Sequence, residues 1–240
     1  MAAVLEAPRT VPTDRIFYTG MAIVSAAIVF VGFSPTFFTR SVELGPLSRL
    51  LTVHGIAFTA WLTLFVTQTS LIAANRRSWH RALGAVGVAL ALTMLVLGTL
   101  AAIDSLNRSS VPIEGLDPRS FFAIPIRDML VFGILVGAAI RYRHEAEMHK
   151  RLMLLSTIAL LDAAIARTGI PGMAKYGPPM FYALQDLLIV VGMVYDRITR
   201  GRVHRAYWWA GGLIVGTQVL FLAISGTAPW LAFAQMFLRG

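Results

Sequence analysis

Residues 154–169 read LLSTIALLDAAIARTG. Nearly every position is apolar or small, yet Asp162 sits in the middle and Arg167 follows five residues later. What such a run means depends on the solvent around it. The chain has 240 residues, of which 57% are hydrophobic and only 14% charged, with a mean hydropathy of +0.70. A soluble domain carries about 25% charged residues. The composition therefore reads as an integral membrane protein, and 154–169 as part of a membrane helix. A charge at the bilayer centre costs at least about 2.5–3.5 kcal/mol, so Asp162 and Arg167 demand an explanation.

Working outward from this stretch, seven apolar segments reach spanning length: 16–33, 48–74, 82–103, 120–141, 151–169, 179–196 and 206–226. The expected fold is all-α, a polytopic bundle of seven transmembrane helices forming one domain over 1–240. Residues 1–15 form a polar cytoplasmic tail, and 227–240 (too short to span) a short interfacial tail. The first apolar run has no convincing small-residue cleavage site, so it reads as a retained helix. Basic residues set the orientation. One side holds Arg9, Arg15, Arg76, Arg77, Arg81, Arg141, Arg143, Lys150, Arg151, Arg197, Arg200, Arg202 and Arg205. The other holds only Arg40, Arg49, Arg108, Arg119, Lys175 and Arg239. The richer side is cytoplasmic, which gives N-in and C-out. The GxxxG pairs Gly133/Gly137 and Gly212/Gly216 are expected to pack helices within the bundle.

Composition also excludes. With no cysteine there are no disulfides, thiolate metal sites, iron–sulfur clusters or cysteine nucleophiles. The net charge of +9 is spent on the loops, which leaves no case for nucleic acid. No P-loop, GxSxG or HExxH motif is present.

The polar groups inside the spans come from four helices. His54 belongs to the second, Arg127 and Asp128 to the fourth, Asp162 and Arg167 to the fifth, and Gln185 and Asp186 to the sixth. All fall between the midplane and the outer surface. Charges facing lipid would be untenable, so they face inward and offset one another. Pro125 frees a carbonyl and is expected to bend the helix near Arg127. If 151–169 is a regular helix, Asp162 and Arg167 point about 140° apart. They then address different neighbours, Arg127 for Asp162 and Asp128 or Asp186 for Arg167. The network is either a lock between helix registers or a site. As a site, Asp128, Asp162 and Asp186 are the candidates for proton transfer, and His54, Arg127, Arg167 and Gln185 the candidates for ligand binding.

A second constellation lies at the cytoplasmic rim: His80, His144, His149 and His204. Histidines from two helices could ligate a b-type haem or a metal, with His54, His80 and His149 as the candidates. The alternative is contact with lipid headgroups and helix ends. His54 with two carboxylates could instead hold a divalent metal that activates water.

Four stretches, VHGIAFTAWLTLFVTQT (53–69), WHRALG (79–84), HKRLMLLSTIALLDAAIAR (149–167) and YDRITRGRVH (195–204), carry a resemblance. The chain resembles a group of uncharacterised bacterial seven-helix inner-membrane proteins. The His–Arg–x–Leu–Gly piece bears a faint likeness to cytochrome b561-like bundles, although their paired mid-helix histidines are missing here. The expected role is a membrane protein whose buried charged site binds a small ligand or cofactor, in a redox version linked to haem or quinone. Two alternatives stand beside it: a metal-dependent intramembrane hydrolase, and an accessory subunit of a larger membrane complex or homo-oligomer.

Overall fold

A computed structural model describes residues 13–108 and 116–238. The tail bearing Arg9, and Arg239, lie outside them. Among the described residues all regular structure is helical. Six helices are long and apolar enough to cross a membrane. They are α1 (Thr13–Phe33, continued by a π turn, Ser34–Phe38), α2 (Arg49–Ala73), α3 (Arg77–Asn107), α5 (Ala123–Arg141, entered through the single turn α4, Pro118–Phe121), α9 (Pro178–Arg200) and α10 (Gly212–Ile224, entered through a π turn, Tyr207–Gly211). Their outward faces carry exposed side chains such as Ile23, Phe30, Leu92, Val96, Leu187 and Val219. Apolar helices exposing such faces suggest contact with a lipid bilayer.

Local chemistry sets the ends. Ser48 caps α2 by accepting from the Leu51 N–H at 3.3 Å, supplying a partner for an otherwise orphaned donor. Pro178 opens α9, where a missing N–H costs nothing. Gly201 closes it with φ of 71°, a conformation glycine adopts without a Cβ penalty. Pro125 lacks the N–H that would bond the Phe121 carbonyl, and the break between α4 and α5 falls at Phe122.

The segment expected as one helix over 151–169 is not one. It is α6 (Ala146–Ile158), an interruption at 159–161, one turn α7 (Asp162–Ile165), a loop, and the single turn α8 (Met173–Tyr176). Neither glycine nor proline causes the interruption. Asp162 Oδ1 accepts from the Ala163 N–H at 2.7 Å, which starts a new turn instead of continuing the old one. The Leu160 and Leu161 N–H groups reach back three residues, to Thr157 and Ile158. Irregular backbone of this kind survives at membrane depth only inside protein. Leu152, Leu154, Leu155, Ile158, Ala159, Leu161 and Ala164 are all fully or almost fully buried, so the segment is the axis around which the long helices pack.

The side on which α1 begins is called here the near face. Asp14 at the start of α1 bonds Lys150 at the start of α6 and Arg200 at the end of α9, so all three ends share that face. The opposite, far face holds the ends of α1 and α3 and the starts of α2, α5 and α9. There the C-terminal helix α11 (Ala228–Gln235) lies against α4, with Trp230 Nε1 donating to the Arg119 carbonyl at 2.8 Å. The GxxxG expectation fails in part. Gly133 touches Leu95, but nothing lies within contact of Gly137, Gly212 or Gly216, which are exposed. Two other glycines make the close approaches. Gly32 on α1 meets the main chain of Ala164, and Gly98 on α3 meets the Met129 sulfur.

Candidate functional site

Arg127 is fully buried, and each of its three nitrogens donates a hydrogen bond. Its Nε donates to Thr217 Oγ1 at 3.2 Å, its Nη2 to the Ile214 carbonyl at 3.0 Å, and its Nη1 to Asp128 Oδ1 at 2.7 Å. The guanidinium also lies 5.2 Å from the centre of the Tyr182 ring. The same Nη1 stands 3.9 Å from Asp162 Oδ2. One cation therefore sits between two buried carboxylates from α5 and α7. The expected pairing of Asp162 with Arg127 is present. Arg127, expected among the ligand-binding residues, is not part of the cavity lining that includes Asp128 and Asp162, and its bonds go to α10 and Asp128.

Asp128 and Asp162 form part of the wall of a cavity of about 1040 Å³. His54 and Arg167 line it too, as do Trp61, Thr157 and a shell of apolar side chains that includes Phe33, Phe58, Leu62, Met94 and Phe181. Gly98 keeps room for the Met129 side chain on one wall. Two polar atoms of this lining are buried without a hydrogen-bond partner: Asp162 Oδ2 and His54 Nδ1. Leaving a buried acceptor unsatisfied costs about 1–3 kcal/mol, and more when it is charged. His54 is held by stacking on Phe58, with ring centres 4.1 Å apart. Trp61 donates to Thr157 Oγ1 at 3.2 Å, which fixes the inner wall.

Arg167 departs from the expectation. Its Nη1 donates to the Ala163 carbonyl at 2.6 Å and its guanidinium lies 5.0 Å from the Phe33 ring centre. Among the described residues no carboxylate, neither Asp128 nor Asp186, is within ion-pair distance of it. The expected separation of about 140° assumed a continuous helix. The single turn α7 places both residues on the same cavity instead. Arg40 lines the cavity as well, bonded to the carbonyls of Thr36, Leu44 and Gly45. It likewise has no carboxylate partner among the described residues. A third lining arginine, Arg108, is paired with Asp104 at 2.7 Å. Arg40 and Arg108 looked like ordinary loop cations in the sequence.

Gln185 and Asp186 stand apart from the cavity. Gln185 donates to the Ile158 carbonyl at 2.8 Å, and Gln218 donates to Gln185 at 2.8 Å and to Asp186 at 3.0 Å. This layer satisfies the end of α6. Neither residue, expected for ligand binding and for proton transfer, lines the cavity.

The rim histidines divide. His80 and His149 face each other with ring centres 6.4 Å apart, and His149 Nδ1 donates to the Ala139 carbonyl at 2.8 Å. His54 lies at the opposite end of α2 from the turn that leads to His80, about 28 Å away along that helix axis. The three therefore do not form one site. Among the described residues no group of three His, Asp or Glu side chains is disposed to hold a metal ion. The hydrolase reading lacks a ligand set there.

The near face holds a cluster that sequence reasoning counted only as topology charges. Arg151 and Asp196 are fully buried and form a two-pronged pair, at 2.8 and 2.5 Å. Glu147 accepts from Arg151 at 2.8 Å and from Lys150 at 2.6 Å, and Arg200 joins Asp14 and Asp196. Lys150 and Arg151 hold the Glu147 carboxyl below its usual range although burial pushes the other way. Burial, with Arg151 nearby, depresses His204. The spacing of Glu147 and Arg151, one helical turn apart, was the readable signal.

Comparison with known protein families, with characterised proteins and with solved structures finds no match to this chain.

Proposed function

We propose that the chain is a multi-pass protein of a bacterial inner membrane, N-terminus inside, whose cavity opens toward the outer half of the bilayer and binds a small ligand with an acidic head group. Counting the interrupted segment as a crossing gives seven in all. Arg167 holds the head group, and Asp162 exchanges a proton with it. The observation that carries this reading is Asp162 Oδ2: a buried, unpartnered carboxylate oxygen on the wall of a large cavity, 3.9 Å from a guanidinium committed elsewhere. Arg167 and Arg40 support the sign of the head group, because both bring positive charge to the lining and, among the described residues, neither has a carboxylate within ion-pair distance. Arg127 acts behind the site. It bonds Asp128 at 2.7 Å and stands 3.9 Å from Asp162, so it fixes the position of both carboxylates.

A quinone-linked redox role is the second reading. His54 favours it, since an imidazole with an unpartnered ring nitrogen could serve a carbonyl-bearing ring stacked among Phe58, Trp61 and Phe181. Binding to the full chain in lipid nanodiscs separates the two. The first reading expects hexadecyl phosphate or hexadecanoate to bind with an affinity that falls about tenfold or more in Arg167→Gln. Tight binding of a neutral quinone and none of the anions would replace the first reading with the second.

A further inference from the structure

A groove of about 590 Å³ runs along the outside of α2, bounded by Ile56, Ala60, Thr63, Thr67 and, from α3, Leu83. It meets the cavity at two shared residues, Phe37 and Thr59. Three threonines follow one another at single-turn intervals along this face. Each gives its hydroxyl to the carbonyl one turn back: Thr59 to Gly55 at 2.7 Å, Thr63 to Thr59 at 2.9 Å and Thr67 to Thr63 at 2.7 Å. With the hydroxyls so engaged, the groove is effectively apolar. From Ile56 to Thr67 it extends about 16 Å, which is roughly half of a ~30 Å hydrocarbon core. The partition at the junction is thin. Phe37 packs on Gly55, where any Cβ would overlap its ring.

We infer that the ligand of the cavity is a long-chain amphiphile with a carboxylate or phosphate head, whose chain leaves past Phe37 and Thr59 and lies in the α2 groove. This rests on the reading of the cavity as an acidic head-group site and adds the chain. The head remains beside Arg167 and Asp162, and the chain replaces bilayer lipid along Ala60 and Thr63. The adjacency of the two spaces, separated by Phe37 and Thr59 alone, makes the choice. A short anion would use the cavity alone, and an ordinary membrane lipid the groove alone.

The test uses the full chain in phosphatidylcholine nanodiscs, with hexadecanoate, hexadecyl phosphate, hexadecanol, acetate and methyl phosphate as probes. Ala60→Phe and, as a second groove-filling variant, Thr63→Phe touch the groove and not the cavity. The inference expects the two long-chain anions to bind at least about tenfold more tightly than their short counterparts and than hexadecanol. Both groove variants then weaken them about tenfold or more, and preference for one anion identifies the head as carboxylate or phosphate. If the short anions bind as well, or if both groove variants keep full affinity while Arg167→Gln loses it, the chain is wrong and the head-group site stands. If Arg167→Gln leaves long-chain binding untouched, or if no anion binds, both fall.

Discussion

Gln185, on α9, donates its side-chain amide to the main-chain carbonyl of Ile158, the last residue of α6, at 2.8 Å. That bond spans the point where the axial segment stops being helical. It also explains why a glutamine sits fully buried in the bundle. Gln185→Leu removes the donor and leaves the Ile158 carbonyl with the Leu161 N–H alone and Gln218 with Asp186 alone. The expected loss is about 0.5–1.5 kcal/mol, read as a fall of a few degrees in the thermal unfolding midpoint of detergent-solubilised protein. An unchanged midpoint would show that the interruption needs no such partner.

The Arg151–Asp196 pair makes a sharper prediction because both side chains are fully buried. Asp196→Ala leaves the Arg151 guanidinium with Glu147 as its remaining carboxylate and is expected to cost up to about 3–5 kcal/mol. The double variant Arg151→Met, Asp196→Leu removes both charges and should recover most of that loss. Equal damage from the single and double variants would mean that Arg151's other partners, Glu147 among them, dominate.

Gly32 and Gly137 look alike in sequence and differ in the fold. A Cβ on Gly32 would run into the Ala164 main chain, whereas nothing lies within contact of Gly137. Gly32→Ala is therefore expected to lower the unfolding midpoint and to disturb the cavity wall through α7. Gly137→Ala should be neutral or stabilising by up to about 1 kcal/mol, because alanine is the better helix former. The same midpoint measurement checks both.

Acidification should loosen the near face in two steps. His204 is depressed, so the fold favours its neutral form. Its contribution is present above the usual histidine value of 6.5 and is lost as pH falls from there through its folded value. Glu147 is depressed as a carboxylate. Its contribution is present above its usual value of 4.5 and is lost at still lower pH. A stability–pH profile should therefore decline first below about 6.5. His204→Gln should reduce the upper step and Glu147→Gln the lower one.

The positions of the long helices were legible because a bilayer requires continuous apolar runs of fixed length. Segments expected at 82–103 and 179–196 appear as parts of Arg77–Asn107 and Pro178–Arg200, extended mainly by polar ends that hydropathy discounts. The interruption in 151–169 was not legible. Its cause is Asp162 bonding the next N–H and Gln185 reaching the Ile158 carbonyl, contacts that no local pattern encodes. The same blindness hid which polar residues share the cavity. Depth placed His54, Asp128, Asp162 and Arg167 together, and all of them line it. Depth also added Arg127, Gln185 and Asp186, which lie outside that lining and bond neighbouring helices. Arg40 was overlooked because its position in a loop after α1 gave no hint that it folds back over the cavity.

In the proposed function, Asp162 meets the head group of a bound ligand and exchanges a proton with it. Infrared difference spectroscopy of the full chain in nanodiscs, recorded before and after addition of hexadecyl phosphate, reports that event directly. The account predicts a change in a carboxyl band that disappears in Asp162→Asn and is retained in Asp186→Asn. A difference spectrum with no carboxyl change, or one that Asp162→Asn leaves intact, would contradict it.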